Sequence, residues 1–280
     1  MNSKFKVFLL ICFLLHTGTG VFAQEQTLTN LVGMQFVQIK PGSIIIGKYQ
    51  PTVGEYQEPQ SGGDGRVVKV LPPSAYKIAE KMANEAAMPG FLVTIEKSYY
   101  IGKYEVTQAQ WEEVMGHNPS YFQNSKVSGG SKNHPVENIT WKDAQAFIKK
   151  LNKLDREYVY RLPTEFEWEN AAAAGSQDDI SWSEAASMGV ISDTTTSAIG
   201  SKKPNAFGLY DVIGNVWEWV QDPYNEKIFA DPVPRTKGKE HVLKGASFTG
   251  DAKNATYKTH AAGPGNGFDV GMRVVIEARE

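Results

Sequence analysis

Residues 34–47, MQFVQIKPGSIIIG, place Phe36, Val37 and Ile39 before a Pro41-Gly42 turn and Ile44, Ile45 and Ile46 after it. That spacing predicts a hairpin of two strands. Farther along, FLVTI (91–95), SYYIGKYEV (98–106), HVLKGASF (241–248) and GMRVVIEA (271–278) read as strands. Three helical stretches each open on a threonine. Thr107 precedes QAQWEEVMG, Thr140 precedes WKDAQAFIKKL and Thr164 precedes EFEWENAAAAG. Each hydroxyl is placed to accept from a free N–H of the first turn, and Gln110 and Glu167 are placed to return the bond. Gly116 and Gly175 mark helix stops. In the second stretch Trp141, Ala144, Phe147, Ile148 and Leu151 form one apolar stripe, a core face. A further short amphipathic helix is expected at 74–88, with Ile78, Met82 and Ala86 on one face.

Between the first strands and the first helix, residues 48–73 are rich in Gly, Pro, Glu and Gln, and about 48–90 reads as a loop or insertion. Beyond residue 175 short apolar pieces alternate with glycines and turns. Few long periodic segments and many aromatics predict one irregular α+β domain over 24–280, low in regular secondary structure.

The first 23 residues carry Lys4 and Lys6, an apolar run from Val7 to Leu15, and Val21-Phe22-Ala23 before Gln24. This is the pattern of a signal peptide cleaved after Ala23. A membrane anchor needs about 20 apolar residues, so no transmembrane segment is expected in the mature chain. The protein is expected to be exported: periplasmic, outer-surface or extracellular. Cys12, the one cysteine of the sequence, lies within the predicted leader. Ile11 before it is too bulky for a lipoprotein signal. The formal net charge of −2 becomes −4 without Lys4 and Lys6, which excludes an electrostatic grip on nucleic acid. The sequons at Asn138 and Asn254 are weak evidence of glycosylation.

Seven segments in order carry a resemblance: GMQFVQIKPGSIIIG, YIGKYEVTQAQWEEVMGHNPSYF, HPVENITWKDAQAFIKKLN, RLPTEFEWENAAAAG, PNAFGLYDVIGNVWEW, VLKGASF and GMRVV. The chain resembles the formylglycine-generating enzyme (sulfatase-modifying factor) family. The resemblance implies a modified C-type-lectin-like fold with a ligand groove near the C-terminus. It also implies a structural Ca2+ at Asp211, Gly214, Val216 and Glu218: two carboxylates and two backbone carbonyls, an oxygen shell suited to that ion. The competing reading has Asp211 and Glu218 capping turns or pairing with Arg161 and Arg273. A second family calcium site would fall near 182–193, where no ligand pattern is evident.

Copper-dependent members hold their metal with two cysteines five residues apart. Those positions fall on Gly250 and Ala255 here, and neither side chain binds a soft metal or exchanges with a substrate thiol. No copper and no catalytic residue are therefore expected. His117, His134, His241 and His260 show no HxH or HExxH spacing and read as surface or packing residues. Ser247 has no base beside it in the sequence and reads as a turn hydroxyl. The expected groove comprises Trp217, Ser247, Phe248, Gly250, Asp251, Ala255 and Tyr257, with the irregular segment 249–270 as the contact loop and Trp219 in the core. The leading functional reading is a non-catalytic binding or accessory protein with a protein or peptide partner in the cell envelope, part of an envelope or secretion assembly. The alternatives are an oxidative tailoring enzyme of the same superfamily with a non-cysteine centre, and a lectin-like or peptide-binding module.

Overall fold

The computed structural model describes residues 27–47, 90–176, 180–225, 227–228, 236–250, 256–262 and 265–279. The predicted leader and the expected 74–88 helix lie outside them. Eleven strands and four α-helices occupy the described residues. An antiparallel sheet runs in the order β1 (Thr27–Thr29), β2 (Gln35–Ile39), β5 (Tyr99–Gly102), β11 (Val275–Ala278), β6 (Tyr158–Arg161). A second sheet runs β10 (Val270–Met272), β7 (Trp217–Pro223), β8 (His241–Lys244), β9 (Ala261–Ala262), with β10 parallel to β7. Strands β3 (Gly42–Ile46) and β4 (Phe91–Ile95) form a separate ribbon.

The expected hairpin at 34–47 is corrected. Both strands exist, but β2 pairs with β1 and β5, and β3 pairs with β4. The turn carries the chain from one sheet to another: β3 pairs with β4 and buries Ile44 and Ile46 in the same core as Val37 and Ile39 of β2 and the alanines of a helix. GMRVVIEA is divided in the same way: Val270–Met272 joins one sheet, Val275–Ala278 the other, and Arg273-Val274 make the crossing.

Helices α1 (Gln108–Met115), α2 (Trp141–Leu154) and α3 (Glu165–Ala173) each begin with the expected threonine cap, and all three close a full capping box. In α2 Asp143 supplies the return bond. A fourth helix, α4 (Trp182–Met188), has the same device in Ser181 and Glu184 and was not anticipated. Gly116 caps α1 in the left-handed region, whereas α3 stops one residue before the expected Gly175, at Ala174 with φ +50°.

Two large apolar cores result among the described residues, beside a small cluster of Phe122, Val127, Val190 and Phe248. One packs α3, α4 and β3 around Trp168, Leu209, Ile213 and Val220; the other packs α1 and α2 around Trp111, Phe147, Tyr160 and Trp219. Trp217 is half-buried and packs against both.

Candidate functional site

The segment Asp211–Glu218 passes between the two cores, and its backbone is held open for polar contacts. Asp211, Gly214 and Asn215 have φ of +55°, +80° and +56°. Only glycine serves at 214, because a Cβ there would stand 2.1 Å from the Val190 carbonyl oxygen. Asn215 donates from Nδ2 to Glu105 Oε2 at 2.6 Å and accepts from the Ser197 N–H, which ties three loops together.

Three buried carboxylates surround one buried arginine. Arg273 Nη2 and Nε donate to Glu218 at 2.8–3.2 Å, and its remaining donors reach the Gly102 and Tyr210 carbonyls. Trp168 Nε1 donates to Glu218 Oε2 at 2.6 Å. Glu105 accepts from the Val216 N–H and from Asn215. Asp211 Oδ2 accepts from the Gly200 N–H at 2.7 Å, while Asp211 Oδ1 is buried without a partner. Burial, then the neighbouring Asp211 and Glu218 charges, push Glu105 well above the usual carboxylate range. Burial likewise lifts Asp211 to about 6. Of the two sequence readings, the pairing of Glu218 with Arg273 is present, while Arg161 pairs elsewhere, with Glu167 and Glu277. Glu105 escaped sequence reasoning, since its one signal is an acid inside the apolar-flanked run YEV.

The donors at this segment are all oxygen, and the orphaned Asp211 Oδ1 together with the excess negative charge fits a hard cation. Among the described residues no three His, Cys, Asp or Glu side chains converge as a ligand set, because Glu218 is turned to Arg273 and Trp168.

A second buried network lies across α3. Lys244 Nζ donates to Glu169 at 2.9 Å and stands 3.7 Å from Glu165. His260 Nδ1 meets Glu165 at 2.6 Å, its Nε2 meets the Asn225 carbonyl, and the ring stacks on Tyr224. Burial raises Glu165, but the His260 bond and the Lys244 charge outweigh it and hold the carboxyl below its usual value. Burial dominates at Glu169, which is raised. The other histidines are dispersed: His134 bonds Thr196, and His241 stacks on Trp141 at 3.8 Å.

Of the expected groove residues, Ser247, Phe248 and Tyr257 are buried, Trp217 and Gly250 are half-buried, and Asp251 and Ala255 lie outside the described residues. Ser247 Oγ donates to Asp269 Oδ2 at 2.9 Å, a carboxylate that its sequence neighbours do not reveal. Phe248 packs edge-on against Phe122, and exposed Phe268 and Tyr121 lie over this pair. Beneath them Glu137, fully buried, accepts from the Phe122 N–H through Oε1, while its Oε2 has no partner. Gly250 closes a tight turn on Ser247, and a Cβ there would meet the Ser247 carbonyl oxygen at 3.0 Å.

A family described as the sulfatase-modifying factor enzyme 1-like domain matches residues 35–278. The chain is 29% identical over 236 residues to the chaperone protein LppX of Paenibacillus barcinonensis, covering 63% of this chain and 79% of that one. It is 33% identical over 169 residues to the formylglycine-generating enzyme of Thermomonospora curvata, covering 49% of this chain and about half, 52%, of the relative's length. Among solved structures it superposes on Treponema denticola variable protein 1 with a TM-score of 0.68 at 25% identity, covering 90% of this chain and 98% of that one. PvdO from Pseudomonas aeruginosa gives 0.67 at 21% identity over the same shares, a likeness of fold alone. The mixed α+β architecture, the ordered motifs and a family match across nearly all of the described residues agree, and the chain belongs to the sulfatase-modifying factor (formylglycine-generating enzyme) family.

Proposed function

We propose that this chain is an exported, non-catalytic binding or accessory protein built on the formylglycine-generating-enzyme scaffold in its modified C-type-lectin-like form. The observation that carries the reading is the absence of a thiol at both copper-cysteine positions, Gly250 and Ala255. Oxidation of a substrate cysteine on a soft metal needs a thiolate at that place. At residue 250 the glycine also serves the local turn, where a β-carbon would crowd the Ser247 carbonyl. The relative named as a chaperone supports a role in handling another polypeptide, and the partner proposed here is a protein or peptide of the cell envelope.

A structural calcium ion is part of the same proposal. Asp211 would hold it with the carbonyls of Gly214 and Val216, Glu218 would join by turning from Arg273 and Trp168 to the ion, and Glu105 would add negative charge nearby. The ion would neutralise the excess of three buried carboxylates over one arginine.

The test is a cysteine-containing sulfatase-type peptide incubated with the protein, copper and oxygen, with mass spectrometry following thiol-to-aldehyde conversion. No turnover above a copper-only blank is expected. Turnover would overturn the non-catalytic reading.

A further inference from the structure

The sequence holds one Asn-Gly step, Asn266-Gly267. It lies in the loop that leads into β10, outside any helix or strand, with Asn266 exposed and exposed Phe268 next in the chain. Two hydrogen bonds clamp this loop to half-buried Asn138, two positions before the Thr140 cap of α2. Asn266 Nδ2 donates to Asn138 Oδ1, and the Asn138 N–H donates to the Gly267 carbonyl, both at 2.9 Å. Asn138 itself is fixed, with its Nδ2 donating to the Pro119 carbonyl and its backbone at φ +63°. The Gly267 carbonyl also accepts from the Val270 N–H at 3.0 Å. Asp269 lies close on the same turn: a Cβ on Gly267 would stand 2.9 Å from its Oδ1. An asparagine followed by glycine is open to attack on its own side-chain amide by the next backbone nitrogen, because glycine has no Cβ to crowd that nitrogen. At Asn138 the corresponding nitrogen belongs to Ile139, which is β-branched and fully buried.

We propose that Asn266 is a self-modification site, converted in the folded protein to aspartyl and isoaspartyl forms, and that the conversion releases the clamp on Asn138. The Gly267 nitrogen bonds to Asn266 Cγ, and the Cγ–Nδ2 bond breaks. Nδ2 leaves as ammonia with the proton of the Gly267 nitrogen, and a five-membered imide remains. Water then opens the ring at one of its two carbonyl carbons, without any change of oxidation state. Opening at Cγ gives aspartate; opening at the main-chain carbonyl carbon gives isoaspartate, with one more carbon in the main chain. Either product sets a carboxylate where Nδ2 faced Asn138 Oδ1, so an acceptor replaces the donor. The new charge also joins the turn that carries Asp269, and the two repel. In the isoaspartyl form the longer main chain leads directly into Gly267, whose carbonyl holds the two remaining bonds of the loop. This inference does not rest on the binding reading above.

The experiment ages the purified protein at mildly alkaline pH, both folded and in denaturant. Mass spectrometry of its peptides, with fragmentation that separates isoaspartate from aspartate, follows each asparagine. In the folded protein Asn266 should convert at least about tenfold faster than Asn138, a barrier difference of about 1.4 kcal/mol, with isoaspartate among the products. Gly267→Ala should slow conversion at residue 266 by at least about tenfold. That comparison is made in denaturant too, where crowding of the new Cβ against Asp269 plays no part. The aged protein should melt below the fresh protein, while Asn266→Gln aged in parallel should keep its melting temperature. Conversion in denaturant but not in the folded protein overturns the proposal, because the fold then protects the amide. So does aspartate without isoaspartate, since direct hydrolysis bypasses the imide, and so does an equal rate in Gly267→Ala. An unchanged melting temperature after full conversion overturns the release of the clamp.

Discussion

Glu137 is fully buried, has one orphaned oxygen, and sits beneath the aromatic group formed by Tyr121, Phe122, Phe248 and Phe268. Burial pushes its carboxyl up to about 7 from 4.5, against the pull of the Phe122 and Tyr121 N–H groups and Lys126. The folded value lies above the unfolded one, so folding favours the protonated form. Stability from this group is present at low pH and lost as pH rises through about 7. Asp211, raised to about 6, and Glu105, also raised, slope in the same direction. Glu165 and Glu167 are lowered, so their opposite slope acts only at pH values below about 4.5, where they gain protons. Glu137→Gln keeps the acceptor for Phe122 and removes the buried charge. It should raise stability at pH 8 by roughly 1–3 kcal/mol and change it little at pH 5. Thermal melts at the two pH values check this; an equal effect at both would show that the charge is not the cause. In the sequence, Glu137 is one acid between Val136 and Ile139, which tells of burial but not of its missing partner.

Strand β6 lies at the edge of the five-stranded sheet, and α2 protects it. Asn152 Oδ1 accepts from the Tyr160 N–H and Asn152 Nδ2 donates to the Tyr160 carbonyl, both at 2.8 Å, so an amide side chain stands where a further strand would pair. Asn152→Ala should cost about 1–3 kcal/mol, because it strands two part-buried backbone groups. It should also promote concentration-dependent association through the freed edge. Chemical denaturation and light scattering test the two effects separately. A stability loss without association would confine Asn152 to a local role. Three of the four helix starts were legible at this scale because a cap is written in four consecutive residues, while the Ser181–Glu184 box was passed over. Strand partners were not, and the 34–47 stretch shows why: either hairpin or crossover satisfies its apolar pattern, and the choice rests on a distant strand, Phe91–Ile95, that pairs with Gly42–Ile46.

Across the molecule, three buried carboxylates share one buried arginine, and a bound cation would relieve their mutual repulsion. Calcium is expected to raise the melting temperature, by an amount equivalent to about 2.7 kcal/mol at a hundredfold excess over Kd. Asp211→Ala should abolish most of that gain, since it removes the carboxylate with the unpartnered oxygen. Differential scanning calorimetry with calcium and with chelator is the measurement. An unchanged melting temperature would refute the site and leave the Glu218–Arg273 pair as the whole role of the segment.

The amino-acid sequence alone determined the family, the three threonine-capped helices, the apolar face of α2 and the absence of any cysteine after Cys12. These are local patterns or residue identities, which need no knowledge of distant neighbours. Only the tertiary structure decided that β2 and β3 belong to different sheets, that GMRVVIEA crosses between two of them, and that Glu218 is turned to Arg273 and Trp168. It alone brought Glu105 beside Asp211, from 106 positions earlier in the chain, and set Asp269 against Ser247. Those pairings depend on which buried groups meet once the cores have closed. Charges in a low-dielectric interior must find partners across the fold, and spacing along the chain carries no record of that choice.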